Sequence, residues 1–234
     1  IKKNIIAWLK NPHLGMVPLF MAGDKSFHYY LNKLKKQLGI NLNIWGENYL
    51  ENTDFKIGFA GVKPDFDKKV IYKISLKGQL ILLSFLIKEY LINPSYINTS
   101  LPDNILSHFS RSFMRKTDYF NFFQYFLWDE NTIEDVIINE YKWEKSDDTL
   151  STWRIGDGTA AFYNYIYYTI AGFSEYDTFR SNQIREGMLD RTAAFEKTIY
   201  ENQPRYESIK WYLEILGLDF EIIVKSINGI PKLY

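Results

Sequence analysis

The chain contains no cysteine among its 234 residues. That excludes disulfides, thiolate metal centres and cysteine nucleophiles. Histidine is nearly as scarce: His13, His28 and His108 stand apart, without the HxxxH or HExxH spacing of a zinc site. Net charge is missing too, since 28 basic residues balance 28 acidic ones. No bulk field therefore draws the protein to nucleic acid or to an anionic membrane. Long apolar runs are also lacking. The run LILLSFLIKEYLI, residues 80–92, is interrupted by Lys88 and Glu89 and is too short to cross a bilayer, so it reads as a buried helix. No secretory leader opens the chain, and with the lack of cysteine this points to the cytoplasm. The first residue is Ile rather than Met, which suggests a piece of a longer protein.

Aromatic residues are abundant, at 18% with 18 Tyr and 17 Phe. They suit a thick core, a sugar or base platform, or both. Apolar residues make up 46% and charged ones 24%, an ordinary globular balance in a chain long enough to bury a real core.

Local patterning predicts an α/β start followed by a mainly helical region. MVPLFM (16–21) reads as a short strand, restricted by Pro18 to an edge or a strand start. AGDK follows, then a helix from Asp24 to Leu38 with an apolar stripe of Phe27, Tyr30, Leu31, Leu34 and Leu38. Asp24 suits its N-cap and Gly39 its C-terminal stop. INLNIW (40–45) alternates as a strand and ends in Gly46-Glu47-Asn48. Strand, helix and strand make a βαβ unit with parallel strands, whose trailing loops leave from one sheet edge. Ligands of open α/β sheets bind at that carboxyl edge. The alternative is that Gly23 and Gly46 only make tight turns.

Residues 56–75 look irregular, with VIYKISL as a possible strand. We divide the chain into 1–77, an α/β domain, and 78–234, a helical region. ILSHFSRSFMRKTDYFNFFQYFLW (105–128) reads as aromatic helix, NTIEDVIINEYKW as a helix with an Asn-x-x-Glu cap, and KSDDTLST (145–152) as a flexible linker. Short capped helices complete the chain, with Pro204 at a first helical position and Gly217 and Gly229 at helix ends. In TWRIGDGTAAFYNYIYYTIAG (152–172), a charged, glycine-punctuated turn runs into a helix apolar on both faces. Such a helix is buried between layers, and Asn164 within it must find hydrogen-bond partners.

The basic residues are segregated. Between 151 and 205 stand Arg154, Arg180, Arg185, Arg191 and Arg205 with the single lysine Lys197, whereas lysine dominates elsewhere. Arginine offers a planar fork for phosphate or carboxylate. Salt bridging to Glu186, Glu196 or Glu201 accounts for Arg191 and Arg205. Arg154, Arg180 and Arg185 read as anion-binding. With Asp177 as N-cap, Arg180 falls in a first helical turn, where a cation opposes the helix dipole. An anionic ligand at that N-terminus would relieve the conflict, and so would a neighbouring carboxylate.

Two long blocks, WRIGDGTAAFYNYIYYTIAGFSEYDTFRSNQIREGM and ENQPRYESIKWYLEILGLDFE, together with IWGENYLENTDFKIGFAG and MAGDK, strongly resemble the N-acetyl sugar amidotransferases over nearly the whole chain. Those proteins are PP-loop ATP pyrophosphatases with an adenine-nucleotide α-hydrolase-like, Rossmann-like fold. The resemblance implies ATP-dependent activation of the acetamido group of a nucleotide-linked sugar. Ammonia from a glutaminase partner then gives an acetamidino sugar for surface polysaccharide such as lipopolysaccharide. ATP and Mg²⁺ are the implied cofactors. Glu47, Arg154 and Asp157 are the implied catalytic residues, with Glu47 or Asp157 near magnesium. Gly46, Asn48, Arg180 and Arg185 would contact the nucleotide, and Gly158, Thr159 and Asn182 the sugar substrate. The family's SGGxDS loop and upstream cysteine pairs are not in this sequence. Both are expected before Ile1, and the chain alone is expected not to turn over ATP. The other reading is a non-catalytic module that binds a nucleotide sugar or docks the glutaminase.

Overall fold

A computed structural model describes residues 1–21, 26–51, 54–63, 74–113, 119–149, 151–153 and 158–234. The described chain is mostly helical, with one small parallel sheet. It divides into two compact units: residues 1–49 with 53–122, and residues 50–52 with 123–234. The first unit thus runs well past residue 77 and takes in two helices expected in the helical region.

The first unit begins with α1 (Lys2–Lys10), which buries Ile5, Ala7 and Trp8. MVPLFM is not a strand. Leu14–Met21 is a run of 3-10 turns with Pro18 inside. Proline has no N–H for a sheet ladder, so the segment closes its backbone locally and buries Leu14, Met16, Val17, Leu19 and Phe20. Trp8 meets Phe20 edge-on at 5.9 Å. Asn4 Nδ2 donates to the Leu19 carbonyl at 3.2 Å, and Asn93 Nδ2 to the Ala7 carbonyl at 2.7 Å.

Helix α2 (Phe27–Leu38) ends as predicted on Gly39, whose φ of 67° is left-handed. The loop AGDK and the predicted cap Asp24 lie outside the described residues, as does most of VIYKISL. The expected apolar stripe of α2 is largely exposed at Phe27, Tyr30, Leu34 and Leu38, and the buried residue is His28. Strand β1 (Asn43–Trp45) forms where INLNIW predicts it. Its parallel partner is β2 (Tyr119–Asn121), with Asn43 opposite Tyr119 and Trp45 opposite Asn121. The βαβ unit drawn from MVPLFM is therefore replaced by a longer crossover. Between the strands lie the short α3 (Phe55–Gly58), α4 (Leu76–Ile92) and α5 (Leu101–Phe113). Ser75 caps α4, its Oγ accepting from Gly78 N at 3.1 Å. Only Gly78, Leu82 and Glu89 of α4 are buried, so it is not the enclosed helix that its hydrophobicity suggests.

The second unit holds the helices that the sequence punctuates most clearly. Helix α6 (Glu130–Asp135) continues into a π-helical turn at Val136–Glu140. Its cap is Asp129, which accepts from Thr132 N at 2.8 Å, rather than Asn131. Then come α7 (Thr159–Ala171), α8 (Glu175–Arg185), α9 (Arg191–Glu201), α10 (Tyr206–Ile215) and α11 (Phe220–Asn228). Pro204 lies just before the N-cap Arg205 of α10, not at its first position. Gly217 follows α10 with a φ of 62°, and Gly229 ends α11. Helix α7 is buried over Ala161–Tyr167 and at Ile170, on both predicted stripes.

The linker 145–152 is tied down. Asp148 accepts from Ser208 N at 3.0 Å, Ser208 Oγ at 2.9 Å and Arg205 Nε at 3.1 Å. It thereby caps α10, whose own N-cap Arg205 has no capping side chain. Burial pushes the Asp148 carboxyl up, but the Ser208 and Ser146 hydrogen bonds and Arg205 outweigh it and hold the group below its ordinary value. A depressed carboxyl stabilises the fold above the ordinary carboxylate range, and that stability is lost as pH falls through the depressed value. Asp148→Ala should therefore cost about 1–2 kcal/mol at neutral pH. Urea titrations should show the gap to wild type closing in acid, and a pH-independent gap would contradict this account.

Candidate functional site

At the sheet edge, residues 46–48 leave the carboxyl end of β1. Asn48 is buried and Glu47 half-buried. Side chains alternate along a strand, and paired residues of parallel strands share a face. Asn43, Trp45, Tyr119 and Asn121 therefore share one face, against α2. Trp45 stacks on His28, at 5.2 Å, and on Tyr119, at 5.6 Å, and those two rings lie 5.9 Å from each other. Tyr119 donates its hydroxyl to Asn32 Oδ1 at 3.4 Å, and burial raises its pKa.

A helix-on-sheet layer is ordinarily aliphatic, as Val, Ile and Leu. This one is polar and aromatic. Among the described residues, Asn32 Nδ2, Asn43 Nδ2, Trp45 Nε1 and Asn121 Oδ1 are all buried without a hydrogen-bond partner. A buried polar atom left unpaired costs about 1–3 kcal/mol, so four in one layer call for an explanation beyond folding. Asn32, Asn43, Trp45 and Asn121 were not marked by sequence reasoning. For Asn43 and Asn121 the signal was a polar residue at an inward position of a strand, and Asn32 lies on helix α2.

In the second unit, the residues on either side of 154–157 are fixed by packing. Trp153 is buried, stacked on Phe179 at 4.1 Å and edge-on to Tyr176 at 5.2 Å. Gly158 is the N-cap of α7, with a φ of 80°. A Cβ there would lie 2.7 Å from the Ser208 carbonyl oxygen and 2.8 Å from Tyr212 Cβ. Gly158 thus opens the helix, and Thr159 is its first residue. Arg154 and Asp157 lie outside the described residues.

Arg180 is not in a first turn. Helix α8 starts at Glu175, capped by Ser174 and Asp177 in a capping box, so Arg180 is its sixth residue. The first turn carries Glu175 and Asp177, which agree with the helix dipole, and the expected conflict does not arise. The guanidinium is 2% exposed. Its Nε donates to Glu201 at 2.9 Å, and its two terminal nitrogens donate to Glu130 at 2.6 and 2.9 Å. Further bonds reach Gln183 at 2.7 Å and the second Glu201 oxygen. Every nitrogen of the fork is committed, through carboxylates foreseen as the alternative to a ligand. Lys197 stands 3.6 Å from Glu130 and adds a second cation. Burial pulls Glu130 up, but Arg180 outweighs it and keeps that carboxyl low. Glu201 is more deeply buried, and burial prevails there, which pushes its carboxyl above the ordinary value despite Arg180.

Asn182 donates to the Leu50 carbonyl at 2.7 Å, and Arg185 bonds Asn182 on its own helix, with Arg185 exposed. Arg205 pairs with Asp148 rather than with the carboxylates expected for it. Asn164 finds its partners: Nδ2 donates to Glu175 at 3.3 Å, and Oδ1 accepts from Glu175 N at 3.1 Å. Tyr163 also donates to Glu175, at 2.6 Å. A cleft lined by Asn164, Tyr176, Glu201, Asn202 and Arg205 encloses room for about one water molecule, so it is no substrate pocket. Burial raises the Tyr176 hydroxyl to about 12, Arg205 offsetting part of the rise.

Among the described residues, no group of three or more His, Asp and Glu side chains is placed to hold a metal ion. No helix among them is long and apolar enough to cross a membrane. The chain matches no protein family, no curated protein and no solved structure.

Proposed function

We propose that this chain is the C-terminal part of an ATP-dependent N-acetyl sugar amidotransferase, built on a Rossmann-like PP-loop nucleotide-binding domain. The observation that carries the reading is the sheet edge. A parallel strand pair ends in Gly46-Glu47-Asn48, beside buried polar atoms of Asn43, Trp45 and Asn121 that have no hydrogen-bond partner among the described residues. Carboxyl edges of parallel sheets are where α/β proteins take nucleotides. The WRIGDGT block supports the same reading through its resemblance to these enzymes.

In the proposed reaction the acetamido oxygen of a nucleotide-linked sugar attacks the α-phosphorus of ATP, and pyrophosphate leaves. Ammonia adds to the activated carbon, and AMP departs with the former carbonyl oxygen. Glu47 is suited to hold Mg²⁺, which takes one or two carboxylates and keeps several waters. Arg154 supplies positive charge to the phosphates as pyrophosphate leaves, and Asp157 orients the attacking amide. Gly158 and Thr159 seat that loop. Because its fork is already filled, Arg180 holds the scaffold and is not assigned to phosphate.

The test uses a protein carrying this chain together with an SGGxDS loop. Pyrophosphate exchange into ATP should depend on the nucleotide sugar. Glu47→Gln and Arg154→Ala should each lower it about 10²–10³-fold while leaving the thermal midpoint unchanged. Exchange that persists in both variants removes the site assignment. Binding of the sugar without any exchange favours the non-catalytic module.

A further inference from the structure

Helix α4 carries an apolar stripe that no described residue covers. Leu76, Leu80, Leu83, Ile87 and Leu91 are each between 50% and 76% exposed. Their spacing of 4, 3, 4 and 4 residues places them within an arc of about 80°, over about 22 Å of helix. The opposite face is already in use: Leu82 packs in a core with Ala60 and Val62, supported by Phe85 and Leu86. Gly78 approaches that core so closely that a Cβ would lie 2.6 Å from Ile74. The stripe is therefore a second, outward face on a helix already fixed to its unit. A contiguous exposed apolar stripe marks an interaction surface.

The borders of the stripe differ. Lys77, Ser84 and Lys88 run along one side, all exposed, while Gln79 and Tyr90 along the other carry no charge. We propose that this face of α4 docks an amphipathic helix of another protein, one edged with carboxylates on the side that meets Lys77 and Lys88. Spacings of three and four are those of a helix that packs along another at a shallow angle. A second copy fits poorly. An antiparallel self-pair centred near Leu83 sets Lys77 of each copy against Lys88 of the other, a like-charge contact at both ends. A membrane surface fits poorly as well, because a helix lying in the interface has a strongly charged polar face, whereas the face of α4 opposite the stripe is packed in the core of its unit. The inference stands independently of the amidotransferase reading.

The test titrates the whole chain with two synthetic helical peptides of three heptads, leucine at a and d, labelled for fluorescence anisotropy. One carries glutamate along a single border and the other lysine. The glutamate peptide should bind about tenfold more tightly, with a preference that shrinks in high salt. Lys77→Glu with Lys88→Glu should reverse the preference, and Ile87→Ser should abolish binding with no change in thermal midpoint. Equal binding of the two peptides, or none, overturns the proposal. So does a dimer in sedimentation that Ile87→Ser dissociates, or pelleting with phosphatidylserine vesicles that the double glutamate variant loses.

Discussion

Replacing Arg180 by alanine is expected to cost about 3–5 kcal/mol of stability, the range for breaking a buried ion pair. The residue is 2% exposed, and it separates two carboxylates, Glu201 at 5% and Glu130 at 12% side-chain exposure. Without the guanidinium, both acids remain in a poorly hydrated space, with Lys197 and the Gln183 amide beside Glu130. The loss should therefore exceed that of any single hydrogen bond. Arg180→Lys keeps the charge but not the planar fork, and should fall between wild type and alanine. Adding Glu201→Gln to Arg180→Ala should recover part of the loss, because one of the stranded charges is then gone. A double-mutant cycle in urea measures this coupling. A stable Arg180→Ala protein with impaired catalysis would show instead that the fork is free to bind phosphate.

Gly158→Ala should be the most damaging small substitution in the second unit. Its backbone sits at a φ of 80°, and its Cβ would meet the Ser208 carbonyl at 2.7 Å, a backbone atom that cannot swing aside. Left-handed strain with that overlap amounts to about 2–4 kcal/mol. Relief would push the start of α7, Gly158 and Thr159, away from α10. A displacement of about 1 Å costs about 10²-fold in turnover where groups must be aligned. The expected result is a lowered thermal midpoint together with a fall in kcat larger than the change in KM. A fall in stability with normal turnover would separate the loop from the chemistry.

Much of the second unit was legible because its signals are local. Gly217, Gly229 and the apolar faces of α7 act within a turn or two of where they stand. Asn164 announced a need for partners, though not that Glu175 would meet it. Arg180 was misplaced by three residues, because Asp177 serves as the third residue of a capping box whose cap is Ser174. Its partner Glu130 lies 50 residues away in sequence, and no local pattern carries that pairing. Asp148 was hidden in the same way: a polar linker looks flexible until Ser208 and Arg205 arrive beside it.

The first unit was less legible, and the reasons are physical. A short apolar run such as MVPLFM is compatible with strand or helix, and Pro18 turned the balance toward 3-10 turns. Tyr119–Asn121 was absorbed into an aromatic helix because its residues suit either element, and pairing with β1 decided the outcome. The apolar composition of α4 was taken as burial, yet composition does not say on which side the partner lies. The sheet edge was found through Gly46-Glu47-Asn48. The unpaired polar layer beside it emerged only once β2 was set against β1.

The most direct test of the amidotransferase reading follows one oxygen atom. A nucleotide-linked N-acetyl sugar carrying heavy oxygen in its acetamido carbonyl is incubated with ATP, Mg²⁺, ammonium and the protein that joins this chain to its SGGxDS loop. The account predicts that the label appears in AMP and that the sugar gains an acetamidino group in equal amount. Label retained in the sugar while ATP is consumed, or AMP formed without label, would contradict it.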